Sequence, residues 1–108
     1  MANLEAVTDA GFGEAVAWRQ GVVVVDFWAA WCPPCRALGP VIDELAQKYK
    51  GTVKVGKLDA DANRRTVVQY DISSLPTILL FKNGKAVDSS IGLQGKAALE
   101  LMIRNAVG

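Results

Sequence analysis

Histidine is absent from this 108-residue chain, and cysteine appears only twice, as Cys32 and Cys35. Without histidine, the commonest general base and the commonest metal ligand are both missing. Cys–His nucleophile pairs and haem attachment through Cys-x-x-Cys-His are excluded with it. Two thiols in one chain cannot close a four-ligand zinc site, so no metal is expected. An excess of charge is lacking too: 12 Lys and Arg stand against 11 Asp and Glu. That balance favours neither nucleic acid nor a membrane surface as a partner. The longest apolar run, Gly21 to Val25, is far too short to span a bilayer. Met1 to Glu5 carries neither a basic segment nor a long apolar stretch, so no secretory leader is expected. What remains for the two cysteines is chemistry between themselves.

The length suits a single domain, residues 1–108, with a hydrophobic core of its own. No repeat, linker or low-complexity stretch interrupts it. Leu4 to Val7 is a short strand candidate. Thr8 or Asp9 is placed to cap a first helix running to about Trp18, although Gly11 and Gly13 weaken it. Val22 to Phe27 is a β-branched run whose continuous apolar character suggests burial on both faces of a mainly parallel sheet. Leu38, Ile42, Leu45, Ala46 and Tyr49 recur at helical spacing after Cys35, with Pro40 inside the helix and Gly51 ending it. Val53 to Asp59 reads as a strand, and Asn63 is placed to cap a short helix to Tyr70. Thr77 to Phe81 and Ala86 to Ile91 form a hairpin through Asn83-Gly84. Leu99, Met102, Ile103 and Ala106 mark a last helix. The order βαβαβαββα implies an α/β fold with an antiparallel edge.

Trp31-Cys32-Pro33-Pro34-Cys35 follows the apolar strand and opens the long helix. Cysteines at i and i+3 on a helix face bring their sulfurs within bonding reach. A helix N-terminus offers free N–H groups and positive dipole character, which favour the reactive thiolate. Prolines are tolerated there because first-turn N–H groups have no intrahelical partner. Cys32 precedes the helix and Cys35 lies a turn inside, so Cys32 is expected to be the more accessible thiol. The alternative is a structural disulfide, but closing so short a loop stabilises by only about 2 kcal/mol. Asp26, within the valine run, is either a buried functional acid or a residue turned to solvent at the strand end. Lys57 is either its partner or a surface residue. Trp28 and Trp31 flank the loop as site or core residues. Composition alone assigns the Leu75–Pro76 bond to trans, since only about 5–6% of such bonds are cis.

Asp26-Phe27-Trp28-Ala29-Ala30-Trp31-Cys32-Pro33-Pro34-Cys35, with Pro40, Lys57, Leu75-Pro76-Thr77, Phe81-Lys82-Asn83-Gly84 and Gly92, resembles the thioredoxin family over nearly the whole chain. Cys-x-x-Cys beside a βαβ pattern is itself a signature of that family. The resemblance implies a thioredoxin fold, a central mixed sheet with helices on both faces. It implies a protein-disulfide reductase in which Cys32 attacks, Cys35 resolves and Asp26 moves protons. Pro76 would be cis and face the cysteines. Trp31, Pro33, Pro34, Leu75, Pro76, Gly92 and Leu93 would form the substrate surface. No cofactor would be bound beyond the redox-active Cys32–Cys35 disulfide. The implied partners are an NADPH-dependent thioredoxin reductase and disulfide-containing proteins, met by a cytoplasmic monomer. Two departures stand out: Pro33 occupies a position usually held by Gly, and Ser73-Ser74 replaces a frequent Gly. The resemblance therefore carries over neither the redox potential nor the details of the groove. Rival readings are a dedicated oxidant or cytochrome-maturation reductant outside the cytoplasm, and a binding module built on the same fold.

Overall fold

A computed structural model describes residues 4–108. Met1 to Asn3, part of the stretch read for a leader, lie outside the described residues. The apolar run becomes the central strand β2, Val22–Trp28. It pairs in parallel with β3, Lys54–Asp59, and antiparallel with β4, Thr77–Lys82. β1, Glu5–Ala6, extends the sheet beyond β3, and β5, Lys85–Ile91, extends it beyond β4. The strand order is β1-β3-β2-β4-β5. Asn83 and Gly84 turn the β4–β5 hairpin with φ of 51° and 84°, the left-handed pair that a two-residue turn requires. Beyond the turn, Phe81 pairs with Ala86 while Leu80 pairs with Asp88, so Val87 is a bulge.

Helices cover both faces, which explains why β2 has no polar side apart from Asp26. α1, Pro33–Lys48, and α3, Lys96–Val107, cover one face. There Leu38, Ile42, Leu45, Leu99 and Ile103 pack on Val22, Val24, Ile78 and Leu80. α2, Arg64–Gln69, and a π-helical turn at Gly13–Ala17 cover the other. There Phe12, Val16 and Val67 pack on Val23, Val25, Phe27, Leu79 and Phe81. The even-numbered residues of β2 therefore face α1 and α3, and Asp26 belongs to that series. Pro40 lies inside α1, where the Arg36 carbonyl receives no hydrogen bond from it. The two faces together match the thioredoxin fold expected from the sequence. No helix among the described residues is long and apolar enough to cross a membrane.

The first helix departs from expectation: only Gly13–Ala17 is helical, and as a π turn. Of the two alternative caps, Thr8 bonds only at the entry to the turn and Asp9 is employed elsewhere. Thr8 Oγ1 accepts a local bond from the Gly11 N–H at 3.0 Å. Asp9 reaches across 57 residues to α2, accepting from the Thr66 N–H at 2.9 Å and the Thr66 hydroxyl at 2.6 Å. Its other oxygen accepts from the Arg65 N–H at 3.1 Å. Asn63 stands at the N-cap position of α2 but makes no side-chain cap. Its amide instead accepts from the Asp9 N–H at 2.9 Å and donates to the Asp59 carbonyl at 3.0 Å. An added Cβ at Gly13 would lie 2.6 Å from the ring of the exposed Trp18, which would have to shift.

Asp9 thus caps α2 from another segment, and Asp9→Ala is expected to destabilise the fold by about 1 kcal/mol at neutral pH. The Thr66 hydroxyl, chief among these donors, holds the Asp9 carboxyl below its ordinary value. Its contribution is therefore present above the unfolded pKa and is lost as pH falls through the folded one. Urea melts at pH 7 and at low pH check this. An unchanged midpoint at pH 7 would mean that Asp9 does not hold α2.

Candidate functional site

β2 delivers the chain to the start of α1 through Ala29 and Trp31, and Cys32 becomes the N-cap with φ −98° and ψ 104°. Pro33 and Pro34 fill the first two helical positions and supply no N–H. The first backbone donor of the helix is consequently that of Cys35, which points at Cys32 Sγ at 3.3 Å. The Arg36 N–H donates to the Cys32 carbonyl at 3.2 Å. Cys32 and Cys35 form a disulfide with their Cα atoms 5.3 Å apart. Once the bond is reduced, the N–H and the helix dipole would stabilise negative charge on Cys32 rather than on Cys35.

The expected difference in accessibility is absent in this oxidised form. Cys32 is 3% exposed and Cys35 5%. Both are packed with Ala29 against Trp28 and Leu75. What separates the thiols is the hydrogen bond, because both sulfurs are covered by the same neighbours.

The surface around the disulfide assembles from three loops. Trp31 is 65% exposed, and its indole N–H donates to Asp61 Oδ2 at 2.8 Å. Pro33 and Pro34 are exposed beside it. Leu75 touches the cysteine cluster and precedes the buried Pro76 through a cis bond. Composition favours trans here, so cis was legible only through the family resemblance. The Pro76 carbonyl accepts from the Gly92 N–H at 2.8 Å, which places Gly92 and the exposed Leu93 at the same rim. Ile91, also exposed, joins them there. Sequence reading missed Ile91 because an apolar residue at a strand end reads equally as core.

Asp26 is buried in the α1 face and is not turned to solvent. Among the described residues its Oδ1 has no hydrogen-bond partner. Burial pushes its carboxyl up from 3.8 to about 6, opposed by the charge of Lys57 and reinforced by that of Asp43. Lys57 is its register partner on β3. No ion pair joins the two among the described residues; the Lys57 ammonium instead lies 5.8 Å from the centroid of a Trp28 ring. Lys57 therefore acts on Asp26 through its field and not through contact. A cleft of ≈ 230 Å³ lies alongside, lined by Trp28, Cys35, Arg36, Gly39 and Lys57. Gly39 and Asp43 were missed by sequence reading, though their i+4 and i+8 spacing from Cys35 marks one stripe of α1. No cluster of three or more metal-ligating side chains occurs among the described residues.

Comparison with known proteins gives a concordant result. A family model described as thioredoxin matches residues 3–105. A thioredoxin of Synechocystis sp. is 48% identical over 99 residues, covering 92% of this chain and 92% of that protein. A thioredoxin of Rickettsia felis is 50% identical over 93 residues, covering 86% and 89%. A chloroplastic M-type thioredoxin of Pisum sativum is 47% identical over 97 residues, covering 90% of this chain but 56% of that longer protein.

The burial of Asp26 has a signed consequence for stability. Because the folded pKa lies above the unfolded one, the folded state binds the proton more readily. The resulting cost is absent below about pH 4, grows between 3.8 and about 6, and is complete above that. The interval corresponds to about 3 kcal/mol. Asp26→Ala and Asp26→Asn are therefore expected to raise stability at pH 7 by up to that amount and to change it little at pH 4. Denaturant melts at the two pH values measure it; equal or lower stability of both variants at pH 7 would refute it.

Proposed function

The chain belongs to the thioredoxin family and is a thiol–disulfide oxidoreductase with protein-disulfide reductase activity, and on that premise we propose that Cys32 is its attacking thiol and Cys35 its resolving thiol. Its redox group is the Cys32–Cys35 disulfide itself. The observation that carries the division of roles is the Cys35 N–H aimed at Cys32 Sγ. That donor, at the mouth of a helix whose first two residues have none, favours the thiolate at Cys32.

In the reduced protein the Cys32 thiolate attacks one sulfur of a substrate disulfide. The substrate S–S bond breaks, a mixed disulfide forms, and one substrate thiolate leaves. Cys35 then loses its proton and attacks Cys32 Sγ. The mixed disulfide breaks, the second substrate thiolate leaves, and the two electrons have passed to the substrate. Asp26, buried on the face that α1 covers, accepts the Cys35 proton in this reading. A carboxyl near 6 is suited to exchange protons around neutral pH. Lys57 tunes it from β3. Trp31, Pro33, Pro34, Leu75, Pro76, Gly92 and Leu93 receive the substrate chain around the sulfurs. The Cys-Pro-Pro-Cys sequence marks a variant of the family's site, with Pro33 stiffening the loop and withholding an N–H.

Family membership implies a reductase and substrate proteins as partners. We assign the electron supply to an NADPH-dependent thioredoxin reductase, and the setting to the cytoplasm, where thiols are kept reduced. A net charge of +1 supports protein partners over nucleic acid or a membrane surface. Residues 1–108 are read as one domain acting as a monomer.

The test is a trap. Cys35→Ser is expected to accumulate a mixed disulfide through Cys32, because a serine hydroxyl does not displace sulfur at neutral pH. Immobilised Cys35→Ser should retain several-fold more dithiothreitol-released protein from a cell lysate than Cys32→Ser. Equal capture by the two variants would mean that the roles are reversed or shared.

A further inference from the structure

The two prolines that open α1 leave a gap in the backbone hydrogen bonding just ahead of them. Between β2 and α1 the chain turns through Ala29–Cys32, closed by the Cys32 N–H on the Ala29 carbonyl at 3.2 Å. Ala30 and Trp31 are the two central residues of that turn. The backbone donors that would next reach the Ala30 carbonyl, three or four residues on as in a helix, belong to positions 33 and 34. Both are proline and have no N–H.

A side chain fills the gap. Arg36 Nη1 donates to the Ala30 carbonyl at 2.7 Å, a charge-assisted bond that reaches back six residues. Arg36 stands in the first turn of α1, where its own N–H donates to the Cys32 carbonyl at 3.2 Å. The peptide between Ala30 and Trp31 is therefore tied to the helix. Trp31 is tied at its far end as well, through the indole N–H to Asp61 Oδ2 at 2.8 Å. The Asp61 N–H is seated in turn on Asp59 Oδ1 at 3.0 Å, at the end of β3. A side chain that is 65% exposed is thus held at both ends. Ordering a contact residue before its ligand arrives removes that cost from binding.

We propose that the Arg36 guanidinium stands in for the backbone donor that Pro33 lacks, and that by holding the Ala30–Trp31 peptide it keeps Trp31 set to receive a protein substrate. The proposal rests on the reading of Trp31 as part of the substrate surface. Arg36 touches neither the sulfurs nor the substrate in this role and is a positioning residue. Its bond to Ala30 is exposed to water, so its loss is read in substrate binding and not in stability. A small disulfide, with no chain to lay across Trp31, is indifferent to it. A role of the Arg36 charge alone would not depend on what residue 33 is, whereas a substitute for a missing N–H does.

The experiment measures kcat and KM for the reduction of insulin, with dithiothreitol as the electron source, in Arg36→Met, Pro33→Ala and the double variant. Arg36→Met is expected to raise KM about fivefold, the scale of ordering one large side chain, with kcat changed by less than about twofold. Reduction of hydroxyethyl disulfide should change by less than about twofold. Hydrogen exchange at the Cys32 amide, which closes the turn, should be several-fold faster. Pro33→Ala supplies an N–H three residues after Ala30, so on that background Arg36→Met should leave KM where Pro33→Ala alone sets it. An unchanged insulin KM in Arg36→Met, with Trp31→Ala raising it, overturns the proposal and leaves the substrate surface standing. An equal rise in KM on both backgrounds overturns it too, because the charge alone is then at work. If Trp31→Ala leaves the insulin KM unchanged, the reading of the substrate surface fails and the proposal falls with it. Should Arg36→Met fail to fold, Arg36→Ala is judged by the same outcomes.

Discussion

The site depends on the burial of β2 on both faces and its pairing on both edges. Parallel bonding to β3 and antiparallel bonding to β4 leave no freedom in where β2 ends. The chain emerges at Trp28 and must turn at once into α1, which lies across the same strands. The disulfide therefore sits at the top of the most constrained element in the molecule. Loops supply only its rim. This rigidity lets one N–H, that of Cys35, be aimed at one sulfur. The two prolines sharpen the arrangement by removing the donors that would otherwise precede it.

The same burial imposes the electrostatics. Asp26 occupies a position that its neighbours in β2 fill with valine, and desolvation dominates its ionisation. A direct ion pair with Lys57 would largely cancel that effect and leave a permanently charged carboxylate. The lysine instead lies beside Trp28, near enough to moderate the carboxyl and too far to neutralise it. Instability at neutral pH and readiness to exchange a proton are thus two results of one placement.

Much of this was legible in the residues. The unbroken apolar run announced a strand covered on both sides. Asn83-Gly84 announced its turn, and the Cys-x-x-Cys spacing announced the site. These are signals in which one local rule has a single outcome. The rest depended on where distant segments meet. Asp9 and Asn63 each looked like a local cap, and each instead bonds across the π turn–α2 junction. The side of the sheet that Asp26 occupies, and the separation of Lys57 from it, follow from strand register and are invisible in a linear pattern. Glu100 of α3 is buried, held by Lys48 at 2.7 Å and by the Tyr49 hydroxyl at 3.2 Å, both from around the end of α1. The isomer at Pro76 was supplied by family likeness, since local statistics point the other way.

The bulge at Val87 bears on a different matter, the behaviour of the molecule at high concentration. β5 ends the sheet, and a straight edge strand offers unpaired N–H and C=O groups that another chain can extend into a continuous ladder. Here Val87 breaks the regular register at β5, and Lys85 and Asp88 place opposite charges along the same strand. An incoming strand would meet an interrupted twist and two solvated charges instead of a flat apolar template. The edge is protected against amyloid-like stacking by its own irregularity, without a helix to cover it.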